Sequence, residues 1–238
     1  MAICPIQYMM DLKQILRDEI TLDEEVGIYS VHGLPPGDYD NKAAAYDAVI
    51  AAPLYNKIMW GNSPSDYLNF AKHSLQQQSL GMVLDVGCGT LTFTAEAYNA
   101  TSRKIILSDY SLGMMLRGKN RIQADKDNIT FLRADGFNLP FHDGTMDTVV
   151  SFGVIHVFED PLPFCKELFR VLKKGGDAHF TSLVKDRWIS HQYLKSLHKS
   201  GEIGTPKAAK EMATIVERAG FTVKLSRKGG MAYMDCIK

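Results

Sequence analysis

The stretch Val83-Leu-Asp-Val-Gly-Cys-Gly-Thr90 decides the fold of this 238-residue chain. Its first half has the apolar pattern of a short buried strand, and this strand runs directly into a turn that contains Gly87 and Gly89. Glycines let the backbone approach a ligand closely, and the first N–H groups of the helix that follows have no partner within that helix. A strand, a glycine turn and a helix in this order are typical of an open parallel sheet with a ligand site at one edge.

Asp85 distinguishes this turn from an ordinary dinucleotide site. Its carboxylate lies just before the first glycine, where it would repel a pyrophosphate but suit a ligand with an amino group or a positive centre. The third glycine of a Gly-x-Gly-x-x-Gly fingerprint is also replaced by Thr92. A nicotinamide-dependent dehydrogenase is therefore only the second choice among enzymes.

The composition indicates a globular protein without an excess of charge. Hydrophobic residues make up 45% and charged residues 23%, and 27 basic side chains balance 27 acidic ones. Nonspecific binding to nucleic acid or to an anionic membrane therefore has no support. Acidic residues dominate residues 1–40 and basic residues dominate 166–238. The two charge-biased segments either form ordinary solvated faces or attract each other, so that the acidic segment folds over the basic one.

The cysteines have neither metal-ligand nor redox-pair spacing, since they lie far apart at Cys4, Cys88, Cys165 and Cys236. We therefore expect no metal site, no disulfide framework and a reducing, cytoplasmic setting. The N-terminus lacks a basic stretch before an apolar run, and the apolar run over residues 148–158 is far shorter than the roughly 20 residues that span a bilayer. Neither a signal peptide nor a membrane anchor is expected.

From residue 81 onward, short apolar strands alternate with helices, which predicts an α/β fold with a mostly parallel sheet. The predicted strands cover residues 82–86, 104–108, 129–133, 148–152, 177–183, 221–227 and 231–237. Helices are predicted at 90–99, 111–124 and 160–172, and a last one begins with Thr205 as its cap and ends at Gly220. Lys228-Gly-Gly230 is a tight turn, so the final two strands form a hairpin and one of them is antiparallel to the sheet.

The residues before the first strand show weaker patterns. One helix is predicted around residues 9–18, and the breaker cluster Gly33-Leu-Pro-Pro-Gly37 follows it. Two further helices are predicted, over residues 41–50 and from Ser63-Pro64 onward. In the second of these, Leu68, Ala71 and Leu75 fall on one face.

Two more carboxylates follow the next two predicted strands. Asp109 ends the second strand about twenty residues after the glycine turn, a position that faces a ribose diol in folds of this type. Asp135 ends the third strand, where it could accept from an exocyclic amine while the N–H of Gly136 donates to a ring nitrogen. Each acid alone is more simply a cap or turn residue. Together they describe a site for an adenosine.

With these residues, the chain resembles the class I S-adenosylmethionine-dependent methyltransferases, and within them the small-molecule group that includes quinone-biosynthesis methyltransferases. The resemblance covers about residues 80 to 185. Five ordered motifs carry it: Val83-Leu-Asp-Val-Gly-Cys-Gly-Thr90, Ser108-Asp-Tyr-Ser-Leu-Gly-Met-Met115, Ala134-Asp-Gly-Phe-Asn-Leu-Pro-Phe141, Met146-Asp-Thr-Val-Val150 and Arg170-Val-Leu-Lys-Lys-Gly-Gly176. It implies a Rossmann-like, seven-stranded sheet with an antiparallel last strand, helices on both faces and an N-terminal helical arm.

The resemblance also implies roles for individual residues in binding S-adenosylmethionine. Asp85, Gly87 and Gly89 would hold the methionyl part, and Asp109 the ribose hydroxyls. Tyr110 would lie against the adenine, whose amino group Asp135 would bind beside Gly136. The chain departs from the family at Leu91, where a third glycine is usual, so that the helix start is displaced or the methionyl end is held less closely. It also has Lys174 where a proline is common, which affects only a turn.

His156 is the candidate catalytic residue, because it lies in Gly153-Val-Ile-His-Val157 after the fourth strand, and that loop borders the methyl group in the family. An imidazole that titrates near pH 6.5 could remove a proton from the acceptor. A base is required only when the acceptor is a hydroxyl or a similar protonated group. The alternative is a histidine that shapes the pocket or bonds the backbone.

Substrate contacts are expected outside the shared core, in aromatic residues that could also exclude water: Tyr46, Tyr55, Trp60, Trp188, His191 and Tyr193. The predicted organisation is an N-terminal arm with cap helices in residues 1–78, followed by an S-adenosylmethionine-binding domain in 79–238 with a substrate-covering segment around 186–204. Each of these aromatic residues singly could equally be part of the core.

The leading hypothesis is a methyltransferase that acts on a small-molecule acceptor, as a monomer or homodimer, without nucleic-acid or membrane partners. The alternatives are an NAD-dependent oxidoreductase and a non-catalytic S-adenosylmethionine-binding protein. A nucleic-acid methyltransferase is disfavoured, because residues 153–157 do not contain the Asn/Asp-Pro-Pro-aromatic motif.

Overall fold

The computed structural model describes residues 14–37, 40, 43–76, 81–124 and 126–238. The strands of these residues form one nine-stranded sheet. In chain order they are β1 Ile20–Asp23, β2 Ile28–Val31, β3 Val83–Val86, β4 Ile105–Asp109, β5 Ile129–Arg133, β6 Met146–Phe152, β7 Leu172–Leu183, β8 Thr222–Lys228 and β9 Met231–Ile237. The helices are α1 Ala43–Ile50, α2 Pro53–Tyr55, α3 Pro64–Leu75, α4 Ala95–Ala100, α5 Leu112–Lys119, α6 Leu162–Val171, α7 Trp188–Lys199 and α8 Ala209–Arg218, and a π-helical turn, Asn56–Trp60, follows α2.

The sheet has the strand order β1-β2-β5-β4-β3-β6-β7-β9-β8. Strands β3 to β7 pair in parallel, whereas β9 lies between β7 and β8 and is antiparallel to both. All seven strands predicted from the sequence are present, with starts and ends shifted by a few residues, so the predicted α/β class is confirmed. The glycine turn follows β3, which is the central strand of the sheet.

Helices cover both faces of the sheet, as predicted. One hydrophobic cluster packs α6 and α8 on one face, through residues such as Phe164, Leu168 and Val216. The other cluster packs α3, α4 and α5 on the opposite face, with Tyr98 and Met115 among its fully buried members. Parallel strands that are covered in this way read as continuous apolar runs, and β3 is buried along its whole length.

The N-terminal arm differs from the prediction, which gave it helices and no strand. Here β1 and β2 form an antiparallel hairpin, and β2 extends the sheet by pairing in parallel with β5. Isoleucine, threonine and valine favour strands, and Gly27 supplies the positive φ of +64° that the turn requires. This hairpin and β8 lie at opposite edges of the sheet, so the described part of the acidic segment does not cover the basic C-terminal strands.

Residues 9–13 of the helix predicted around residues 9–18 lie outside the described residues, and residues 14–18 lie within them. Within it, Leu16 forms an isolated antiparallel bridge with Phe141, and the N–H of Arg17 donates to the carbonyl of Pro140 over 3.0 Å. The described end of this segment is therefore attached to the loop after β5.

Three helix starts illustrate how local chemistry sets the boundaries. α3 begins as predicted after Ser63, whose N–H donates to Asp66 over 2.9 Å. α8 begins at Ala209, later than predicted: Asp186 accepts the N–H of Ala209 over 2.8 Å, whereas the N–H of Thr205 donates to Glu159. α4 also begins later than predicted, for a reason that lies in the glycine turn.

The helix α7 was not predicted, because the sequence indicated only a covering segment around residues 186–204. Among the described helices, none is both long and apolar enough to cross a membrane.

Three cysteines in the described part of the chain, Cys88, Cys165 and Cys236, are buried and free.

Candidate functional site

The glycine turn between β3 and α4 has the backbone geometry that its sequence requires. Gly87 and Gly89 have φ angles of +77° and +57°, in the left-handed region where side chains are disfavoured. A Cβ at Gly87 would collide with Val154, whereas one at Gly89 would meet nothing within 4 Å. The N–H of Gly87 donates to the carbonyl of Ser108 over 2.8 Å, which ties the turn to β4. The open side of the turn is therefore at Gly89.

Leu91 adopts the conformation of the glycine that it replaces. Its φ is +58°, in the left-handed region, yet its side chain is buried with 2% exposure. The left-handed backbone costs roughly 1–2 kcal/mol for a residue with a Cβ. Burying a leucine contributes roughly 1.5–3 kcal/mol, which offsets that cost. The carbonyl of Leu91 accepts the N–H of Ala95 over 3.0 Å, and α4 begins at Ala95 and not at Thr90 as predicted.

Asp85 is a buried carboxylate with one oxygen left without a partner. Tyr98 donates its hydroxyl to Oδ2 over 2.6 Å, but Oδ1 has no hydrogen bond to any described residue. Desolvation raises the pKa of Asp85 to about 7, although the Tyr98 hydroxyl opposes that shift. An unpartnered buried oxygen of this kind fits a ligand that brings a cationic or N–H group to it.

Asp109 joins the glycine turn to the start of α5. Its Oδ2 accepts the N–H of Gly89 over 2.7 Å, and its Oδ1 accepts that of Ser111 over 2.8 Å. Desolvation raises its pKa, against these backbone bonds. Because each carboxylate oxygen has a second lone-pair position, Asp109 can still accept bonds from a diol.

Tyr110, Asp135 and Gly136 follow β4 and β5 at the same edge of the sheet. The Arg133 guanidinium lies 5.8 Å from the centroid of the Tyr110 ring, which is half-buried. The Oδ1 of Asp135 accepts the N–H of Phe137 over 2.9 Å, which holds the loop in a turn. Gly136 is required by packing, since a Cβ there would lie 2.6 Å from the ring of Phe164. The structure thus places all the predicted cofactor residues at or just after the carboxyl ends of the adjacent strands β3, β4 and β5.

Asp47 holds the far side of the glycine turn, and the sequence analysis missed it. Its carboxylate accepts from the hydroxyls of Thr90, over 2.8 Å, and Thr92, and from Arg121 over 2.6 Å. Arg121 also donates to the carbonyl of Thr90 over 2.7 Å. Burial opposes ionisation of Asp47, yet these bonds hold its pKa below the ordinary value. The helix α1 is therefore fixed directly to the turn.

Asp40 makes a similar connection to the N-terminus of α5. It accepts from the hydroxyl of Ser111 over 2.6 Å and from the N–H of Gly113 over 3.0 Å. The N–H of Gly37 also donates to it over 2.8 Å. A carboxylate is stabilised at a helix N-terminus by the unpaired N–H groups there. Neither Asp40 nor Asp47 belongs to a sequence motif, because each contact joins segments that are distant in the chain.

His156 lies in the loop after β6 that packs on the glycine turn through Val154. Its ring is half-buried, and its Nδ1 accepts a long bond of 3.4 Å from the N–H of Leu183. Burial lowers the pKa of His156 to about 4, so the imidazole is neutral at physiological pH. With Nδ1 as the acceptor, the proton lies on Nε2, which is then a hydrogen-bond donor.

The predicted aromatic residues fall into two groups. Tyr55, Trp60 and Tyr193 form one cluster, in which the two tyrosine hydroxyls lie 3.1 Å apart and the ring of Trp60 lies 5.5 Å from that of Tyr193. This aromatic cluster joins the π-helical turn to α7. Trp188 is 74% exposed and His191 is half-buried, and the side chain of Tyr46 lies outside the described part of the chain.

A second polar and aromatic group, which the sequence analysis did not single out as a site, lies between α3 and the sheet. Tyr67 stacks on Phe93 at 4.7 Å, and Phe70 packs edge-on against Tyr233 at 5.1 Å. Tyr233 pairs in register with Thr181. Both of their hydroxyl oxygens are buried without a hydrogen-bond partner among the described residues. No described residue therefore uses the hydrogen-bonding capacity of either hydroxyl.

Comparison with known proteins gives a family and a fold. A family model described as a methyltransferase domain matches residues 84–180. The demethylmenaquinone methyltransferase of Paenarthrobacter aurescens (strain TC1) is 37% identical over 154 residues, which cover 63% of this chain and 56% of that protein. The chain spans about half the length of the curated relatives that it matches.

Two solved structures share the fold. An S-adenosylmethionine-dependent methyltransferase from Thermotoga maritima has a TM-score of 0.63 at 19% identity, covering 84% of this chain and 97% of its own. Haemonchus contortus phosphoethanolamine N-methyltransferase 2, solved with phosphomonomethylethanolamine and S-adenosylhomocysteine, has a TM-score of 0.61 at 18% identity, covering 79% of this chain and 43% of its own. Both likenesses extend well beyond the segment that the family model matches.

Proposed function

We propose that the protein transfers a methyl group from S-adenosylmethionine to a small-molecule acceptor, on the premise that residues 84–180 match a family model described as a methyltransferase domain. The observation that carries the proposal is the unpartnered, buried Oδ1 of Asp85 beside the glycine turn. A dinucleotide would bring a pyrophosphate to this position, where a carboxylate repels it. A methionyl ammonium would instead supply the missing hydrogen bond.

The residues at the carboxyl ends of β3, β4 and β5 fit this cofactor. Asp85 and the open turn at Gly89 would hold the methionyl end, and Asp109 the ribose. Tyr110, Asp135 and Gly136 would hold the adenine. When bound, S-adenosylmethionine supplies a methyl group on a sulfonium, which an acceptor atom displaces in line as the positive charge on sulfur is lost. The protein's contribution is to position the acceptor and to exclude water.

The acceptor we propose is small, partly planar and largely apolar, of which a quinone is one example. Several relatives are named demethylmenaquinone methyltransferase. Two sets of aromatic rings suit such a molecule. One is the aromatic cluster of Tyr55, Trp60 and Tyr193, and the other is the pair Phe70 and Tyr233 beneath α3. The unpartnered hydroxyls of Thr181 and Tyr233 would bind its polar substituents.

His156 remains the residue that we propose to act on the acceptor. As a neutral imidazole it can donate a hydrogen bond from Nε2 to an acceptor oxygen. Removal of a proton requires a free ring nitrogen, hence release of the long Nδ1 bond to Leu183. A pKa of about 4 keeps His156 neutral at physiological pH but makes it a weak base. We therefore propose that orientation of the acceptor is its larger contribution.

We further propose a cytoplasmic setting and a monomer or homodimer, with a domain boundary near residue 78 and a covering segment around 186–204. The free, buried cysteines support a reducing environment. The zero net charge gives no support to nucleic-acid or membrane partners.

The proposal is tested by incubating the full chain with S-adenosylmethionine carrying a deuterated methyl group and a panel of small acceptors that includes quinones. Mass spectrometry is expected to detect a labelled product with the wild-type chain, and about a hundredfold less with His156→Ala. Tight cofactor binding without transfer to any acceptor would favour the non-catalytic alternative. An unchanged rate in His156→Ala would remove that residue from the acceptor site.

A further inference from the structure

Three residues with metal-ligating side chains meet beneath α3, away from the glycine turn: His73, His179 and Asp235. One ligand atom from each lies within 4.8 Å of the other two. His73 is in the last turn of α3, whereas His179 and Asp235 face each other in register on β7 and β9. We propose that these three residues bind a divalent transition-metal ion, with zinc as its representative.

The orientation of His179 is the strongest support. Its ring is buried with 1% exposure, and its Nε2 lies 2.9 Å from Oδ2 of Asp177. A histidine that binds a metal generally donates its other ring N–H to a carboxylate, which fixes the tautomer. If Asp177 accepts the Nε2 proton, the lone pair of Nδ1 is directed to the side where Asp235 lies, at 2.8 Å.

The distances fit an ion after small side-chain movements. The Nε2 of His73 lies 3.3 Å from Oδ1 of Asp235, which is the separation of two ligands around a tetrahedral ion with bonds of about 2.0–2.1 Å. The His179 and Asp235 ligand atoms, 2.8 Å apart, must separate by about half an ångström, and the His73 and His179 nitrogens, which lie within 4.8 Å, must come to about the same ligand separation. Half of the His73 side chain is exposed, so it can turn inward and leaves an entry path for the ion.

The chemistry of the surroundings also suits zinc. Two imidazoles and one carboxylate are ligands that zinc accepts, and a fourth position remains for water. The ring of Phe70 lies 6.0 Å from that of His179 and 6.2 Å from that of His73, which gives the group an apolar wall. Lys224 of β8 is the cation that pairs in register with Asp235 of β9, and its side chain is exposed to solvent.

The sequence could not indicate this site, and the cysteine spacing led us to expect none. The three residues come from a helix and two strands that are distant in the chain. A bound ion would fasten α3 to β7 and β9. Tyr67 of α3 stacks on Phe93, which follows the glycine turn. The ion would therefore also stabilise the contact between α3 and the glycine-turn side of the candidate methyl-transfer site.

The competing arrangement is an ion-pair network without metal, in which a protonated His179 lies between Asp177 and Asp235. The two are distinguished by calorimetric titration of the chelator-treated full chain with ZnCl2. Our proposal predicts saturation at one equivalent. His73→Ala should weaken binding about a hundredfold or more, and Asp177→Asn by roughly 10- to 100-fold. The matched control, His142→Ala, removes an exposed imidazole elsewhere and should bind as the wild type does.

Two further readouts keep the test independent of activity. Zinc should raise the melting temperature of the wild type and of His142→Ala but not of His73→Ala, whose circular dichroism reports whether it is folded. CoCl2 should give the visible bands of a tetrahedral cobalt site only when His73 is present. Zinc binding that is equally weak in the wild type and His73→Ala, or equally reduced in His142→Ala, would overturn the proposal.

Discussion

At the scale of single residues, Asp85 and Leu91 each lower the stability of the protein without ligand. A different interaction offsets the cost at each residue. Asp85 is desolvated and has only Tyr98 as a donor among the described residues. Its compensation is the ligand, if a cationic group binds there. Leu91 has an unfavourable backbone conformation and is compensated by burial of its own side chain. Removing the charge of Asp85 is therefore expected to stabilise the unliganded protein, whereas replacing Leu91 by glycine is expected to destabilise it.

Asp85→Asn is expected to stabilise the unliganded protein at pH 8 and to weaken cofactor binding. The folded-state pKa of about 7 lies above the unfolded value of 3.8, so the stability that protonated Asp85 contributes is lost as the pH rises through 7. The variant avoids this loss, and its free energy of unfolding should exceed that of the wild type by about 2–4 kcal/mol at pH 8 and by less at pH 5. Urea denaturation at the two pH values measures this difference.

The control for that experiment is Tyr98→Phe, which removes the one donor to Asp85 found among the described residues and should destabilise the protein at pH 8. A less stable Asp85→Asn with undiminished affinity for S-adenosylhomocysteine would contradict the account.

Leu91→Gly is expected to destabilise the protein, although it restores the residue that is usual at this position. Relief of the left-handed backbone gains roughly 1–2 kcal/mol, whereas loss of a buried leucine side chain costs roughly 3–5 kcal/mol. The free energy of unfolding, measured with urea, should therefore fall by about 1–4 kcal/mol. Leu91→Ala keeps the strained backbone and loses most of the side chain, so it should be less stable than Leu91→Gly.

At the scale of elements, the helix α1 and the turn after β3 are held together by one buried carboxylate. Asp47 bonds Thr90, Thr92 and Arg121, all of which come from the turn or from the segment after α5. Removing one member of a buried charge network leaves the others unpaired and is costly. α1 therefore supports the shape of the turn as well as covering it.

Asp47→Ala is expected to lower the free energy of unfolding by about 2–4 kcal/mol and to weaken cofactor binding, because the turn loses its support. Thermal denaturation and calorimetry measure the two effects. Glu96→Gln is a matched control, since Glu96 pairs with Lys72 at an exposed site, and it should change stability by less than about 1 kcal/mol. If Asp47→Ala behaves like this control, α1 does not support the turn.

At the scale of the whole molecule, the strands that bind the ligand were predictable and the segments around them were not. Parallel strands such as β3 and β6 leave a strong local pattern, because both faces are buried and glycine or acidic residues end them. The acids at the carboxyl ends of β3, β4 and β5 could therefore be aligned from the sequence. The hairpin β1–β2, the bonds of Asp47 and the group around His179 depend on contacts between distant segments, which no local pattern encodes.

Ile28→Ala tests whether the hairpin is part of the cooperative fold. Ile28 in β2 is fully buried in the cluster beneath α3, α4 and α5, so its truncation should cost about 2–5 kcal/mol. Leu22→Ala, in β1 with 43% exposure, should cost less than about 1 kcal/mol. Urea unfolding, monitored by two different probes, measures the loss of stability in both variants. A small effect of Ile28→Ala would mean that the hairpin unfolds separately.

Calorimetric titration of the full chain with S-adenosylhomocysteine and, separately, with NADH distinguishes a site for a methionyl ammonium from a dinucleotide site. We expect one equivalent of S-adenosylhomocysteine bound by the wild type, binding at least about tenfold weaker in Asp85→Asn, and no heat with NADH. Folded wild-type protein that binds NADH, or that gives no heat with S-adenosylhomocysteine, would contradict this expectation.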